Sequence, residues 1–565
     1  MVRTPFRSAV TAPAFSLFSL FSLCGAALAG CGAPVVAVNI TVATKACDGA
    51  TSADPGRNPV AGVDKLRFKI TGDKFPTLTP PDVAFADGGL AVPNLPLGTN
   101  RRITVEARKG NTLWARADSG LFDVLDGRDL NVALILRVVD SFTFTGRPAG
   151  GACSRMVNPR VGHAMTLLPD GRVLITGGFS LDAQSQLHYQ KDAEIYDPAD
   201  GSFSALSGSP AYRRTGHGAL LVTRDTGTAV LLGGGEGPSD AAGGPGAVRP
   251  YELFSDGVWQ APLLPGTTSP SREHHAAVVD LKTGFAVFAG GLNGPDTTPV
   301  SATVLDSVSY FDPRKGTVLD VDEPLALRLF DAAIVARSNA TPGGLPQGGF
   351  VLLGGRTLTG DATNQISGMV FNPARNVYSR DKLWEAATLS SLPAPRVRHF
   401  AVRLIDESIA VIGGLTKAVG DYGFATDAVT QVNPTTNTVG DLAGPKSRLS
   451  QARGDGCGVL LEGGTVLYAG GAWKDSGGKS RSVSSTDLVS LTSNSADDPV
   501  RPLIGPVAGG TSTSWGLQAA RHRAACVRLR DGTVLVTGGF QYAADGSGLQ
   551  TTLDSAEIYT PPGLP

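Results

Sequence analysis

The chain has 565 residues, a formal net charge of −1 and 42% hydrophobic residues, with 72 glycines and 38 prolines. So balanced a charge argues against a nucleic-acid-binding protein, and the dense apolar runs between turn residues exclude an intrinsically disordered one. The composition is typical of a turn-rich, all-β protein that is long enough to bury several cores.

The first 30 residues predict an export signal rather than a domain. Arg3 and Arg7 precede an apolar stretch that ends in Leu28-Ala29-Gly30-Cys31. Small residues directly before a cysteine resemble the lipobox of bacterial lipoproteins, which implies that Cys31 is lipidated and becomes the mature N-terminus. We therefore expect an exported lipoprotein of the outer membrane, facing the periplasm or the cell surface. An ordinary cleaved signal peptide is the alternative.

We predict that residues 31–140 comprise the lipidated cysteine, a short tether and a small β-sandwich. Runs with period-two alternation, such as Leu66-Arg67-Phe68-Lys69-Ile70, recur between turn signals. Several such strands in one short segment are typical of an immunoglobulin-like or transthyretin-like sandwich. We expect this domain to act as a spacer from the membrane, with carbohydrate binding as the alternative.

Residues 141–565 contain seven copies of one sequence motif: an arginine, an apolar run, a tight turn, four apolar residues and a glycine pair. Four strands per repeat predict a seven-bladed β-propeller. We predict a structural role for the glycines, because a Cβ would obstruct the end of the second strand beneath a neighbouring side chain. The predicted pairs are Gly177 and Gly178, Gly233 and Gly234, Gly290 and Gly291, Gly354 and Gly355, Gly413 and Gly414, Gly470 and Gly471, and Gly538 and Gly539.

The last repeat has no fourth strand after Tyr559. The alternating segment Ser141-Phe142-Thr143-Phe144-Thr145 precedes the first repeat and suits the missing place. We therefore predict that this segment pairs with the last blade and closes the ring, which removes exposed sheet edges.

The apolar run before each glycine pair, followed by a phrase such as Phe311-Asp312-Pro313, resembles the kelch repeat. The resemblance covers residues 141–565. It implies a propeller of the kelch and galactose oxidase central-domain superfamily, in a bacterial kelch-repeat lipoprotein.

Each repeat also has one arginine before its first strand, and these arginines form the candidate ligand-binding site. Seven guanidinium groups around one end of the channel would suit carboxylates or phosphates. The alternative is that each arginine pairs inside the protein. The seven residues are Arg160, Arg214, Arg272, Arg328, Arg396, Arg453 and Arg521.

Histidines follow three residues after four of these arginines, at His163, His217, His275 and His399. Recurrence at one repeat position predicts a packing role, because a metal site needs convergent and differing ligands. No metal site is predicted.

Four cysteines remain beyond Cys31, and an exported protein can oxidise them. We predict a disulfide between Cys47 and Cys153, and leave Cys457 and Cys526 unassigned. Four buried thiols are the alternative.

Two kinds of kelch-propeller enzyme supply alternatives. Segments 172–178 and 533–539 resemble the galactose oxidase family, which implies a copper held by two tyrosines, two histidines and a cysteine bonded to one tyrosine. The chain has only the reversed pair His188-Tyr189, and Cys153 is the one cysteine near the right place. The resemblance therefore carries the fold and not the copper chemistry.

The second alternative is a sugar-isomerising enzyme similar to the bacterial sialic acid mutarotases. Such an enzyme needs a few polar side chains at the channel mouth for acid, base and anion binding. Arg272 with Glu273, or Glu236 and Asp331, could supply them.

The sequence favours a membrane-anchored binding or scaffold protein that uses the propeller channel face to bind a protein or glycan. We expect a monomer with an unknown protein or glycan as its partner, and no nucleic acid. No catalytic residue and no cofactor are predicted. The protein is accordingly predicted not to be an enzyme.

Overall fold

The computed structural model describes the chain in separate ranges, and the predicted signal peptide (1–30) and Cys31 lie outside them. Within these ranges the helical segments are two 3-10 turns, Lys382–Glu385 and Tyr422–Phe424. No helix in the described part of the chain is both long and apolar enough to cross a membrane. The described residues are 35–36, 38–43, 47, 58–85, 95–125, 130–146, 151–238, 245–247, 250–263, 270–294, 304–337, 348–385, 388–417, 422–444, 446–491, 498–504 and 515–563.

The chain divides into two compact units, and the boundary lies between Arg137 and Val138. Cys47 belongs to the second unit.

The first unit is a small β-domain with one larger sheet. Alternate residues of Lys65–Thr71 are buried, and Leu66, Phe68 and Ile70 pack in one core with Val105 of the neighbouring strand. The larger sheet runs in the order Arg137–Val138, Thr112–Asp118, Gly98–Lys109, Lys65–Thr71 and Val83–Ala84, with Phe122–Val124 also paired to Gly98–Lys109.

Two strand pairs complete this domain. Val38–Ala43 runs parallel to Leu130–Ile135, and Val35–Val36 pairs antiparallel with Leu95–Pro96. Val132 and Leu134 of one pair join the same core, so the unit is a small β-sandwich, as the alternation predicts.

The described residues of the second unit contain seven four-stranded antiparallel sheets, which are the blades of the predicted propeller. The innermost strands are Ala164–Leu167, Gly218–Arg224, Ala276–Val279, Ala333–Ala336, Phe400–Arg403, Cys457–Leu460 and Ala525–Arg528. The second strands are Val173–Thr176, Gly227–Gly233, Ala286–Ala289, Gly349–Leu353, Ile409–Ile412, Val466–Ala469 and Val534–Thr537. The third strands are Ala193–Asp197, Glu252–Ser255, Val308–Asp312, Ile366–Asn372, Val429–Asn433, Thr486–Val489 and Ala556–Thr560.

The outermost strand of the seventh blade comes from the start of the unit. Ser141–Phe144 pairs antiparallel with Ala556–Thr560, and the Phe142 ring lies 5.4 Å from the Tyr559 ring. The predicted closure is therefore confirmed. The other outermost strands are Ser202–Ala205, Val258–Trp259, Thr317–Asp320, Val377–Arg380, Thr438–Asp441 and Val500–Pro502.

Four blades carry an additional hairpin between their second and third strands. Each hairpin begins directly after the glycine pair and therefore projects from the same end of the propeller. The hairpins are Phe179–Leu181 with Leu187–Tyr189, Glu236–Pro238 with Pro245–Ala247, Ala472–Lys474 with Ser480–Ser482, and Phe540–Tyr542 with Gln550–Thr552.

The glycine pairs join each blade to the next. The N–H of the second glycine donates to a carbonyl at the entrance of the following blade, as Gly178 does to Arg214 at 2.8 Å and Gly539 to Arg160 at 2.9 Å. A Cβ on Gly177 would lie 2.2 Å from the Arg214 carbonyl oxygen, so no larger residue fits without movement.

The second blade requires a correction of one residue. Its turn glycines are Gly234 and Gly235, with φ of 63° and 92°, whereas Gly233 ends the second strand. Three consecutive glycines made the register ambiguous, and only the strand pairing resolves it.

Candidate active site at the channel mouth

The predicted rim of arginines lies inside the blades, which corrects the sequence-based assignment. Six of the seven side chains have 0–1% exposure. Four of them pair with buried carboxylates: Arg160 with Glu194, Arg214 with Glu252, Arg453 with Asp487 and Arg521 with Glu557. These four guanidinium groups are buried and paired internally, so they do not line the channel as a ligand site.

Two further members of the set donate to neutral acceptors, and Arg396 Nη2 also lies 3.4 Å from Asp441 Oδ1. Arg272 donates to the Gly290 carbonyl and to Ser309 Oγ, each at 2.8 Å. Arg396 donates to the Gly413 carbonyl at 3.1 Å. These bonds join the entrance of a blade to its own second and third strands, so the arginines brace the blades.

Arg328 does not belong to the set. Its side chain is 56% exposed and lies 3.3 Å from Asp306. Leu329 occupies the equivalent place. The residue after it, Phe330, forms an isolated β-bridge with Arg356. In the following blade, the residue after Arg396, Val397, forms the same kind of bridge with Leu415.

The residue two positions after the buried arginine, or after Leu329, lies at the channel mouth. We call the seven residues at this position the mouth ring. All have left-handed backbone φ, between 51° and 66°, which is uncommon for residues other than glycine. They are Gly162, Gly216, His274, Asp331, Arg398, Asp455 and Arg523.

Backbone hydrogen bonds connect neighbours of the mouth ring. The Asp331 N–H donates to the His274 carbonyl at 2.8 Å, the Asp455 N–H to Arg398 at 3.0 Å, and the Arg523 N–H to Asp455 at 2.8 Å. Left-handed non-glycine residues cluster at functional sites, because the surrounding structure must stabilise them. Five charged or titratable residues in this conformation therefore point to the mouth as the functional site.

A pocket opens on one side of the mouth ring. Within it, the Tyr422 hydroxyl donates to Asp455 Oδ2 at 2.7 Å. The His522 and Tyr542 rings stack at 4.8 Å with an interplanar angle of 11°. The lining residues are Arg398, Tyr422, Asp455, His522, Arg523, Phe540, Tyr542 and Gln550.

Local structure brings these side chains together from three blades. Tyr422 lies in a 3-10 turn of the fifth blade, and Tyr542 lies in the hairpin of the seventh. His522 precedes the innermost strand of the seventh blade and forms a bridge to Phe540. Sequence reasoning missed these aromatic residues because their proximity depends on how the blades assemble.

The charges of the mouth ring alternate along neighbouring blades. Asp331 accepts a hydrogen bond from Arg356, whose Nη2 lies at 2.6 Å, and its Oδ1 lies 2.9 Å from His274 Nδ1 and 3.6 Å from Arg398 Nη2. Burial alone would raise the pKa of Asp331, but Arg398 and His274 lower it well below its usual value. Arg398 Nε also lies 3.9 Å from Asp455 Oδ1.

Burial shifts the pKa values of the histidine and tyrosine side chains of the pocket, which are neutral at physiological pH. It lowers the pKa of His522 to about 4 and, together with Asp455, raises the pKa of Tyr422. Burial raises the pKa of Tyr542 in the same way. The pocket thus offers one carboxylate, two guanidinium groups and neutral hydrogen-bond donors.

The residues predicted for a sugar-isomerising site differ in their surroundings. Asp331 belongs to the mouth ring, whereas Arg272 is buried within its blade and Glu273 is fully buried. Glu236 accepts a hydrogen bond from the Tyr189 hydroxyl in the hairpin of the first blade.

The recurrent histidines pack between blades. His163 Nε2 lies 2.8 Å from Thr537 Oγ1, and His217 Nε2 lies 2.9 Å from Thr176 Oγ1, each threonine belonging to the preceding blade. Burial lowers the pKa of His163 to about 3, so the ring is neutral.

The ligand set of a copper-radical enzyme does not fit this chain. Cys47 is bonded to Cys153, and Cys457 to Cys526, so none of these cysteines is available to bond a tyrosine. In the described ranges, no group of three or more histidine, cysteine or acidic side chains is arranged to hold a metal ion.

Comparison with known proteins shows the fold only. No family model and no curated protein matches the chain. The structure of YjhT is 15% identical, covers 62% of this chain and 98% of its own, and has a TM-score of 0.42. A fungal alcohol oxidase of the AA5 family, in complex with copper, is 13% identical, covers 72% of this chain and 75% of its own, and has a TM-score of 0.46.

These likenesses correct one prediction. The prediction that the chain is not an enzyme is withdrawn, since one of the two similar structures is that of an alcohol oxidase. Neither likeness supplies a substrate or a cofactor for this chain. Apart from two short 3-10 turns, the described residues are all-β, with seven four-stranded propeller blades that follow a small β-sandwich along the chain.

Proposed function

We propose that the mouth pocket is the active site of a proton-transferring sugar enzyme, a mutarotase or epimerase that acts on a sugar with an anionic group. The observation that carries the proposal is the hydrogen-bonded pair of Tyr422 and Asp455 beside the guanidinium groups of Arg398 and Arg523. This combination unites a base with two anion-binding groups in one concave site.

Substrate binding follows from the chemistry of the lining residues. Guanidinium groups suit a carboxylate, since their planar donors match its two oxygens. The Tyr542 ring, which stacks on the buried His522, offers an aromatic surface to the apolar face of a sugar ring. Gln550 adds an amide that can bind a hydroxyl group.

Asp455 is the proposed general base. The Tyr422 hydroxyl donates to Oδ2, so Oδ1, which lies 3.9 Å from Arg398 Nε, is the oxygen proposed to accept the substrate proton. Asp455 removes the proton of the anomeric hydroxyl while the bond between the anomeric carbon and the ring oxygen breaks. The ring oxygen takes up a proton from solvent water. On reclosure at the opposite face it returns that proton to the solvent, and Asp455 gives its proton back to the anomeric oxygen. One carbon–oxygen bond breaks and re-forms, so the reaction needs no oxidant.

Anomer exchange measured by NMR tests this proposal. The purified protein should accelerate exchange of a sugar acid, and Asp455→Asn should lower that rate by roughly 10²- to 10⁴-fold, because general-base catalysis contributes about that much. Asp170→Asn is the matched control, since Asp170 lies in an exposed turn and pairs with Arg172. A full rate in Asp455→Asn, or no acceleration of any sugar tested, would refute the proposal.

We also propose that the protein works outside the cytoplasm, held to a membrane through a lipid on Cys31, as a monomer with a glycan as its partner. The lipobox-like segment and two disulfides support export. Mass spectrometry of the N-terminal peptide should show the lipid, and Cys31→Ser should release the protein from the membrane fraction.

A further inference from the structure

We infer that Ser482 is a positioning residue that holds His522 as a hydrogen-bond donor toward the substrate. The inference rests on the proposed function of the mouth pocket. Ser482 ends the strand Ser480–Ser482 in the hairpin of the sixth blade, whereas His522 belongs to the seventh blade. The contact between them therefore crosses a blade boundary.

Three polar atoms surround the Ser482 hydroxyl. Its Oγ lies 2.9 Å from His522 Nδ1 and 3.4 Å from the Phe540 carbonyl oxygen. The Tyr542 N–H donates to the same Oγ at 3.0 Å. A hydroxyl has one hydrogen to donate, so its two possible acceptors compete for it.

The distances decide this competition. A separation of 2.9 Å is usual for a strong hydrogen bond, whereas 3.4 Å is near the limit. The Ser482 hydroxyl therefore donates to His522 Nδ1, while its own lone pair accepts from Tyr542. A neutral imidazole carries one N–H, so the hydrogen of His522 lies on Nε2.

The protein also fixes the plane of the imidazole ring. His522 stacks on Tyr542, and Phe540 lies on another side with its ring centroid at 5.7 Å. Because burial lowers the pKa of His522 to about 4, the ring stays neutral and adds no positive charge next to Arg523. A neutral Nε2–H can stabilise a sugar oxygen that gains electron density, as a neutral histidine does in other proton-transfer enzymes.

Nitrogen-15 NMR of the whole protein tests the inference without a substrate, with His522→Gln used to assign the signals. The wild type should show His522 in the Nε2–H form at pH 7. Ser482→Ala should change this signature and lower kcat by about 3- to 10-fold with little change in KM, which is the range for one lost hydrogen bond. Ser482→Thr keeps the hydroxyl and should restore both.

Ser485→Ala is the control, since Ser485 lies in the same blade and pairs with Gln451. An Nδ1–H signature in the wild type, or an unchanged signature and rate in Ser482→Ala, would overturn the inference. Failure of the proposed function is distinguishable, because it would appear as a full rate in Asp455→Asn whatever the tautomer of His522.

Discussion

Two positions only two residues apart along each blade entrance behave in opposite ways. At the first, six of seven blades have a buried arginine that braces the strands. At the second, the mouth ring, glycine, histidine, aspartate and arginine occupy different blades, and Arg398, Asp455 and Arg523 line the pocket. A residue that recurs at one repeat position has the same structural role in every blade. Residues that differ between blades, as at the mouth ring, can together form one asymmetric site.

Arg521 and Arg523 represent the two positions on one segment. Arg521 Nη2 lies 2.8 Å from the buried Glu557, which also accepts the backbone N–H groups of Gln518 and Ala519. Arg523 lines the pocket beside Asp455. Substitution at each position should therefore damage a different property.

Arg521→Met should produce the largest effect, a loss of about 3–5 kcal/mol in the free energy of unfolding, because it leaves Glu557 buried without its partner. Urea denaturation measures the loss. Arg328→Met is the control and should stay within about 0.5 kcal/mol, since Arg328 is exposed. Equal stability of Arg521→Met and the wild type would show that the arginine is not a brace.

Replacing the disulfide between Cys457 and Cys526 should have the next largest effect. The bond joins the innermost strands of the sixth and seventh blades across 69 residues, close to Asp455 and Arg523. A double substitution to serine should lower the free energy of unfolding by about 2–4 kcal/mol, because the unfolded chain regains conformational freedom. Thermal and urea unfolding should agree, and an unchanged stability would contradict this role.

Arg523→Met should leave the stability close to that of the wild type and raise KM for a sugar acid by roughly 10- to 100-fold. A hydrogen bond to a charged group contributes about 1.5–3 kcal/mol, which corresponds to that range. A sugar without an anionic group should show no such change. Equal loss for both sugars would mean that Arg523 does not recognise the anion.

Acid should destabilise the propeller gradually through its buried histidines. Burial lowers the pKa of His163 to about 3, whereas an unfolded histidine has a pKa of about 6.5. Between these values the unfolded state binds more protons, so stability falls as the pH falls, by up to about 1.4 kcal/mol per pH unit for each such group. His163→Gln should make the slope of unfolding free energy against pH shallower, and an unchanged slope would contradict the assignment.

Much of the fold could be predicted because its signals are local. The alternation in Lys65–Thr71, the glycines before each hairpin and the closing strand Ser141–Phe144 each follow from strand geometry or turn conformation within a few residues. The errors were also local, since Gly233 and Arg328 were each placed one residue out of register in blades that depart from the repeat.

The candidate site could be predicted only in part, because its residues meet through blade packing. Asp331 was recognised as a polar residue of the channel mouth, but the predicted arginines were assigned to the channel when they lie among buried carboxylates.

The sequence by itself determined the seven-fold repeat, the strand order and the closing strand, because these depend on periodicity and on turns within each repeat. Only the tertiary structure decided that the arginines point into the blades and that Tyr422, Asp455, His522 and Tyr542 form one pocket. The physical reason is that the packing of different blades determines which side chains come into contact. These blades are far apart along the chain, and the repeat pattern of the sequence does not encode contacts between them.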